Sequence, residues 1–232
     1  MSAVEVYRKT RKTPDLFWNM YVCRPIAAVL VDGVKGTRIT PNQITLMSYV
    51  VAMAAAALLV LLPGYLGLCV AILVYQLSYV LDCADGMLAR WRGIQSTPGH
   101  LLDFLMDELK AFAILAAAAV RLYRDSDSEL FLLIGLGGLV CLASGIAMTT
   151  FERRPEIAPP KATGASPPAP PSLVKRLAGL PFAVAKFLIH YPSYILLAAL
   201  LGRLELYFYP YVAVNAVYML RSLAVVTLKF GR

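Results

Sequence analysis

Apolar residues fall in this chain into long runs separated by short polar or basic segments. Six runs, at about 41–62, 66–88, 99–122, 130–150, 180–201 and 206–228, approach the roughly twenty residues that a helix needs to cross a ~30 Å hydrocarbon core. The predicted fold is an all-α integral membrane protein with six transmembrane helices. Ahead of them, residues 1–40 form a separate region, where PDLFWNMYVCRPIAAVLVDGVKG, from Pro14, mixes aromatic and aliphatic residues with Asp15, Arg24, Asp32 and Lys35. That mixture predicts an amphipathic helix on the membrane surface, with Trp18 and Tyr21 at headgroup level. Thr40 and Pro41 then predict a helix start, Thr40 as the cap and Pro41 at the first position, where its missing N–H costs nothing. The six-helix domain, 41–232, is interrupted at about 151–172 by a Pro-rich segment, PEIAPPKATGASPPAPPS over 155–172, which predicts an extended or disordered loop. No internal repeat is evident, so the inverted repeats of secondary transporters find no support.

Composition strengthens the membrane assignment, since 59% of the 232 residues are hydrophobic and 16% charged, whereas a soluble domain is apolar over about half its residues. The basic, aromatic, proline-containing lead is followed by no small-residue cleavage site, so the first spanning helix is expected to stay. Cys23, Cys69, Cys83 and Cys141 show no C-x-x-C spacing and read as small apolar packing residues, with no zinc site or disulfide framework suggested. The net charge of +8 would suit nucleic acid, but its placement argues for topology instead. With the N-terminus in the cytoplasm, sixteen Lys and Arg fall in cytoplasmic segments, and only Arg121, Arg124 and Arg203 on the opposite side, beside Asp125, Asp127, Glu129 and Glu205. That bias predicts a multi-pass cell-membrane protein with both termini cytoplasmic, a bilayer as partner, and no nucleic acid.

Against this background the stretch DCADGMLARWRGIQSTPGHLLDFLMD, 82–107, stands out. On a helix, positions i, i+3, i+4 and i+7 share a face, so Asp82, Asp85, Gly86 and Ala89 form one strip. Thr97, Pro98 and Gly99 open the next helix, on which Gly99, Asp103 and Asp107 share a face. Two antiparallel helices would thus gather four carboxylates beside glycine and alanine, near the membrane–water boundary. Carboxylates at membrane depth cost roughly a few kcal/mol each, so a cation is expected among them. Hard divalent ions prefer carboxylate oxygens, and two of them can clamp a diphosphate. Glycine lets a bulky ligand approach the helix backbone, although Gly and Ala also line ordinary membrane helix contacts.

The pattern Asp82-x-x-Asp85-Gly86-x-x-Ala89-Arg90, eight residues, Gly99-x-x-x-Asp103-x-x-x-Asp107 resembles the complete signature of the CDP-alcohol phosphotransferases. The resemblance implies a six-helix membrane bundle, commonly a homodimer, with its site open to the cytoplasm. It implies transfer of a substituted phosphate from a CDP-linked donor to an alcohol acceptor with release of CMP, using Mg2+ or Mn2+. Position by position, Asp82, Asp85 and Asp103 match the metal-binding acids, and Asp107 matches an acid that joins the metal site and acts as general base. Gly86, Ala89 and Gly99 match the small positions that admit the cytidine nucleotide, and Arg90 the arginine near the donor phosphates.

Other residues leave alternatives open. Asn42 touches the nucleotide or serves the helix start. Lys110 screens the carboxylates or meets a substrate phosphate, or it simply pairs with Asp107 or Glu108. Lys186, His190 and Tyr194 make a polar stripe at i+4 spacing, pointing to a cavity or to ordinary rim and packing roles. Arg153 and Arg154, with Lys175 and Arg176, receive a phosphorylated acceptor or face lipid headgroups. CDP-diacylglycerol with a water-soluble acceptor such as inositol phosphate, glycerol phosphate or serine is the first expectation, for a role in phospholipid biosynthesis. CDP-choline, CDP-ethanolamine or CDP-inositol with an alcohol acceptor is the second. An intramembrane prenyltransferase would be expected to carry more spans and Asp-Asp-x-x-Asp clusters, and a divalent-cation transporter has no need of the glycine strip or the arginine.

Overall fold

In the computed structural model the described residues, 2–12, 15–157 and 192–231, are helical apart from short connections. The lead folds as α1 (Ala3–Thr10) and a second helical stretch that passes through a π-helical turn (Asn19–Cys23) into α2 (Arg24–Val34). The Arg24 N–H reaches back five residues to the Asn19 carbonyl. Pro25 follows with no N–H to give, so a regular ladder would be broken here in any case. The stretch from Pro14 that predicts a helix is thus helical over 17–34, α1 precedes it, and the inner faces of both join the core. Val6, Cys23, Ala27, Ala28 and Val31 are buried against Ile44, Val80, Ala84, Met87 and Leu88. Trp18 packs against this cluster, whereas Phe17, Tyr21, Ile26 and Val29 are exposed on the outer face.

The bundle proper begins with α3 (Pro41–Leu61), whose start is the expected one. The Thr40 hydroxyl accepts from the Gln43 N–H at 3.3 Å, and the Gln43 side chain accepts from the Thr40 N–H at 2.9 Å. This reciprocal cap satisfies two backbone donors that a helix end leaves orphaned. Helices α4 (Gly64–Arg92) and α5 (Thr97–Ser126) follow, joined by a tight turn in which Gly93 takes the left-handed conformation, φ 68°, that its lack of Cβ allows. Helix α6 (Leu130–Glu152), α7 (Pro192–Leu200) and α8 (Glu205–Phe230) complete the described chain. Helix α3 packs along both α4 and α5, and α6 along both α5 and α8. The central core lies among Leu59, Ile72, Leu115, Ala118, Ile195 and Phe208.

Helices α3, α4, α6 and α8 are long and apolar enough to cross a membrane. Six spans are expected from the sequence, and among the described residues these four meet that description. Helix α5 has 30 residues, but Asp103, Asp107, Glu108 and Lys110 crowd its first half and Arg121, Arg124 and Asp125 its last. Helix α7 is the tail of the expected 180–201 run. The rest of that run, most of the Pro-rich loop, Lys175, Arg176, Lys186 and His190 lie outside the described residues.

Two arginines brace the connections. Arg92 donates to the carbonyls of Val34, Lys35, Thr37 and Ile39, with Nη1 2.6 Å from Ile39 O, and so ties the α2–α3 link to the end of α4. At the other end of the hairpin, buried Arg121 donates to Leu62 O at 2.6 Å and Gly64 O at 2.7 Å, closing the α3–α4 link.

Candidate active site

The turn at Gly93 sets α4 and α5 antiparallel, and the side chains spaced three and four apart on each meet across the gap. The Ser96 hydroxyl starts α5 by accepting from Gly99 N at 3.1 Å. Carboxylate oxygens of Asp82, Asp85 and Asp103 come within 4.8 Å of one another. Asp85 is buried, and its Oδ2 accepts from the Thr45 hydroxyl on α3 at 2.5 Å. Asp103 Oδ1 is buried with no hydrogen-bond partner among the described residues, an arrangement that costs free energy unless something positive meets it. An all-oxygen set with an orphaned buried carboxylate oxygen fits a hard divalent cation such as Mg2+ or Mn2+.

Asp107 stands apart from those three. Its side chain is 51% exposed, and Oδ1 lies 2.8 Å from Lys110 Nζ. Lys110 is buried, and also donates to Asp82 Oδ1 at 2.5 Å and to Ser48 Oγ at 3.0 Å. The fourth acid therefore reaches the cluster through a lysine.

Two cavities meet this group. The first, about 430 Å³, is lined by all five residues of the nucleotide expectation, Asn42, Gly86, Ala89, Arg90 and Gly99, together with Asp85 and Asp103. A Cβ on Gly86 would lie 3.3 Å from Arg90 Nη1, and one on Gly99 3.0 Å from Ser96 Oγ and 3.4 Å from Asn42 Oδ1. Both glycines therefore keep the cleft wall thin beside polar side-chain tips. Arg90 also holds α1 in place, Nε donating to Thr10 O at 2.8 Å, and Lys12 just beyond α1 lines the cleft too.

The second cavity, about 330 Å³, opens on Asp107, Glu108, Lys110 and Arg153 and runs in among Tyr75, Tyr207, Tyr211 and Asn215. Arg153 thus lines a cavity, and it lies over the Phe104 ring at 5.8 Å. Arg154 is exposed past the end of α6, outside the lining of either cavity. Sequence reading singled out neither Thr45 and Ser48 nor the tyrosine wall. The signal for the first two was present, because Asn42, Thr45 and Ser48 recur every third residue on an otherwise apolar helix.

The profile of the CDP-alcohol phosphatidyltransferase family matches residues 38–227, and the chain belongs to this family. It is 29% identical over 117 residues to a protein of Archaeoglobus fulgidus named bifunctional IPC transferase and DIPP synthase, a stretch covering 50% of this chain and 22% of that protein. A protein of the same name from Aquifex aeolicus is 29% identical over 125 residues, 54% of this chain and 27% of its own length. The alignments therefore span only about a quarter of either relative.

Proposed function

We propose that this protein is a membrane transferase that moves a substituted phosphate from a CDP-linked donor, CDP-diacylglycerol first, to an alcohol acceptor and releases CMP. The observation that carries this reading is the convergence of three carboxylates with the glycine-walled cleft at one side and, across Lys110 and Asp107, a second cavity at the other. One cavity suits the cytidine diphosphate and the other the acceptor. Family membership and the relatives' names, which speak of a transferase and a synthase, support the same reaction class.

Phosphoryl transfer asks chiefly for positioning and neutralisation of charge. Asp82, Asp85 and Asp103 would hold Mg2+ or Mn2+, in the paired arrangement the resemblance implies, and such ions offset the charge of a diphosphate. Asn42, Gly86, Ala89, Arg90 and Gly99 form the donor cleft. Asp107, exposed at the second cavity, takes the proton of the acceptor hydroxyl. The acceptor oxygen bonds the phosphorus carrying the donor's substituent, the bond to the CMP phosphate breaks, and CMP leaves. Arg153 stands at the acceptor mouth.

Cytoplasmic placement belongs to the same proposal. Arg38, Arg90, Arg92, Arg153 and Lys229 all lie at the end of the bundle that carries the acids, and the Lys229 ammonium donates to Ile157 O at 3.1 Å there. Homodimerisation, implied by the resemblance, is part of the proposal and is read by cross-linking in native membranes. Purified protein is to be screened with Mg2+ against CDP-diacylglycerol, CDP-choline, CDP-ethanolamine and CDP-inositol, each with a panel of alcohols. CMP release from at least one pair, abolished by chelator, is expected. Absence of CMP with every pair, or full turnover without metal, would overturn the reading.

A further inference from the structure

Lys110 is a buried cation on the wall of the second cavity, and all three of its donors are used. An ammonium has three N–H groups and no acceptor. Here they meet Asp82 Oδ1 at 2.5 Å on α4, Asp107 Oδ1 at 2.8 Å on α5 and Ser48 Oγ at 3.0 Å on α3. Ser48 is itself fixed, since its hydroxyl donates to Ser78 O at 3.0 Å while the Ser78 hydroxyl donates to Ser48 O at 2.9 Å. The third leg of the tripod therefore stands on a two-way clasp between α3 and α4. A substrate phosphate could reach this ammonium only by displacing one of three short bonds, two of them to carboxylates, which are the stronger kind.

We propose that Lys110 is a positioning residue: anchored on Ser48, its ammonium holds Asp107 at the second cavity, in a role separate from that of Asp82 in the group with Asp85 and Asp103. This rests on the reading of Asp107 as the base. Two carboxylates that share one cation have defined separation and direction. Without the cation they repel, and Asp107, half exposed, is free to turn away. Misplacement of a reacting group by about 1 Å can cost on the order of a hundredfold in rate.

The test is Lys110→Met in the purified full chain, read by kcat, acceptor KM and Mn2+ affinity from electron paramagnetic resonance. The expected result is a kcat lower by about ten- to a hundredfold, an acceptor KM essentially unchanged, and Mn2+ bound as tightly as in the parent or more so, because a positive charge beside the acids is gone. A raised acceptor KM with kcat retained would make Lys110 an acceptor ligand and overturn the proposal. Loss of Mn2+ affinity together with kcat would reduce Lys110 to a part of the fold and overturn it equally. Should that variant not fold, Ser48→Ala keeps the charge and removes only the anchor, and kcat is expected to fall by about three- to tenfold at unchanged acceptor KM; an unchanged kcat rejects the proposal. A parent protein that releases no CMP with any pair refutes the proposed function instead, and the Mn2+ titration of Lys110→Met then still decides the part played by Lys110, weaker binding overturning it.

Discussion

Both ends of the α4–α5 pair bury charge, with opposite results. At the Arg121 end all three guanidinium nitrogens are engaged in closing the structure: Nε on Asp125 at 2.6 Å, Nη1 on Leu59 O at 3.3 Å and Leu62 O at 2.6 Å, and Nη2 on Gly64 O at 2.7 Å. At the Asp85 end, carboxylates crowd within 4.8 Å, one buried oxygen has no partner among the described residues, and cavities adjoin. A buried charge with all its partners in the protein is a brace. Buried charges left short of partners beside open space call for something from outside. Lys110 combines the two, held by the protein like Arg121 yet lying at a cavity wall.

The largest effects are expected where the carboxylates are changed. Asp82→Asn replaces an anionic ligand by a neutral amide, so metal and donor binding both weaken, whereas Asp107→Asn removes the proposed base. Base catalysis is worth about 10²- to 10⁴-fold, so Asp107→Asn is expected to lose at least as much turnover as Asp82→Asn while retaining more affinity for CDP. Calorimetric titration of CDP with Mg2+, beside CMP-release rates, checks this; equal CDP affinity in the two variants would deny Asp107 a separate role.

The opposite outcome is expected for Arg121→Met. It strands the carbonyls of the α3–α4 link, and the bundle is expected to lose roughly 2–4 kcal/mol, given about 1–3 kcal/mol for each buried group left unsatisfied. Thermal unfolding in detergent should show a lowered Tm, with CDP affinity of the folded protein unchanged. A fall in CDP affinity at unaltered Tm would break the distinction between the two ends.

The smallest effects separate two kinds of glycine. At Gly135, an added Cβ would lie 2.3 Å from Ala119 Cβ, within the α5–α6 contact. Gly135→Ala is therefore expected to cost about 1–3 kcal/mol of stability, the usual range for overpacking. At Gly86 the nearest atom is the tip of the Arg90 side chain at 3.3 Å, which can move. Gly86→Ala should leave Tm unchanged and raise the donor KM by narrowing the cleft. A lowered Tm for Gly86→Ala, or none for Gly135→Ala, would reverse the assignment.

Much of the site was legible because it lies on two helices joined by a short turn. Asp82 and Asp85 are one turn apart, as are Asp103 and Asp107, and Gly93 with Ser96 reverses the chain between them. The first helix was legible to the residue, from Thr40 and Pro41. The lead was less so, since the exposed Phe17 and Tyr21 and the inward Trp18 alternate through a π-helical turn whose shift in phase a regular periodicity does not anticipate. Arg121 and Arg124 read as charges on the far side of the membrane, and the brace made by Arg121 depends on carbonyls that carry no side-chain signal.

By itself the sequence determined the all-helical class, the apolar run lengths and the faces on which the four aspartates lie, because helix geometry relates residues three and four apart whatever the surroundings. Only the tertiary structure decided which groups those aspartates meet. Thr45 reaches Asp85 across 40 residues, and Ser48 reaches Lys110 across 62. Such contacts follow from how α3 is rotated and set against the α4–α5 pair. That placement is the joint result of packing along whole helix faces and of the braces at both ends, so no local spacing encodes the cation standing between Asp82 and Asp107.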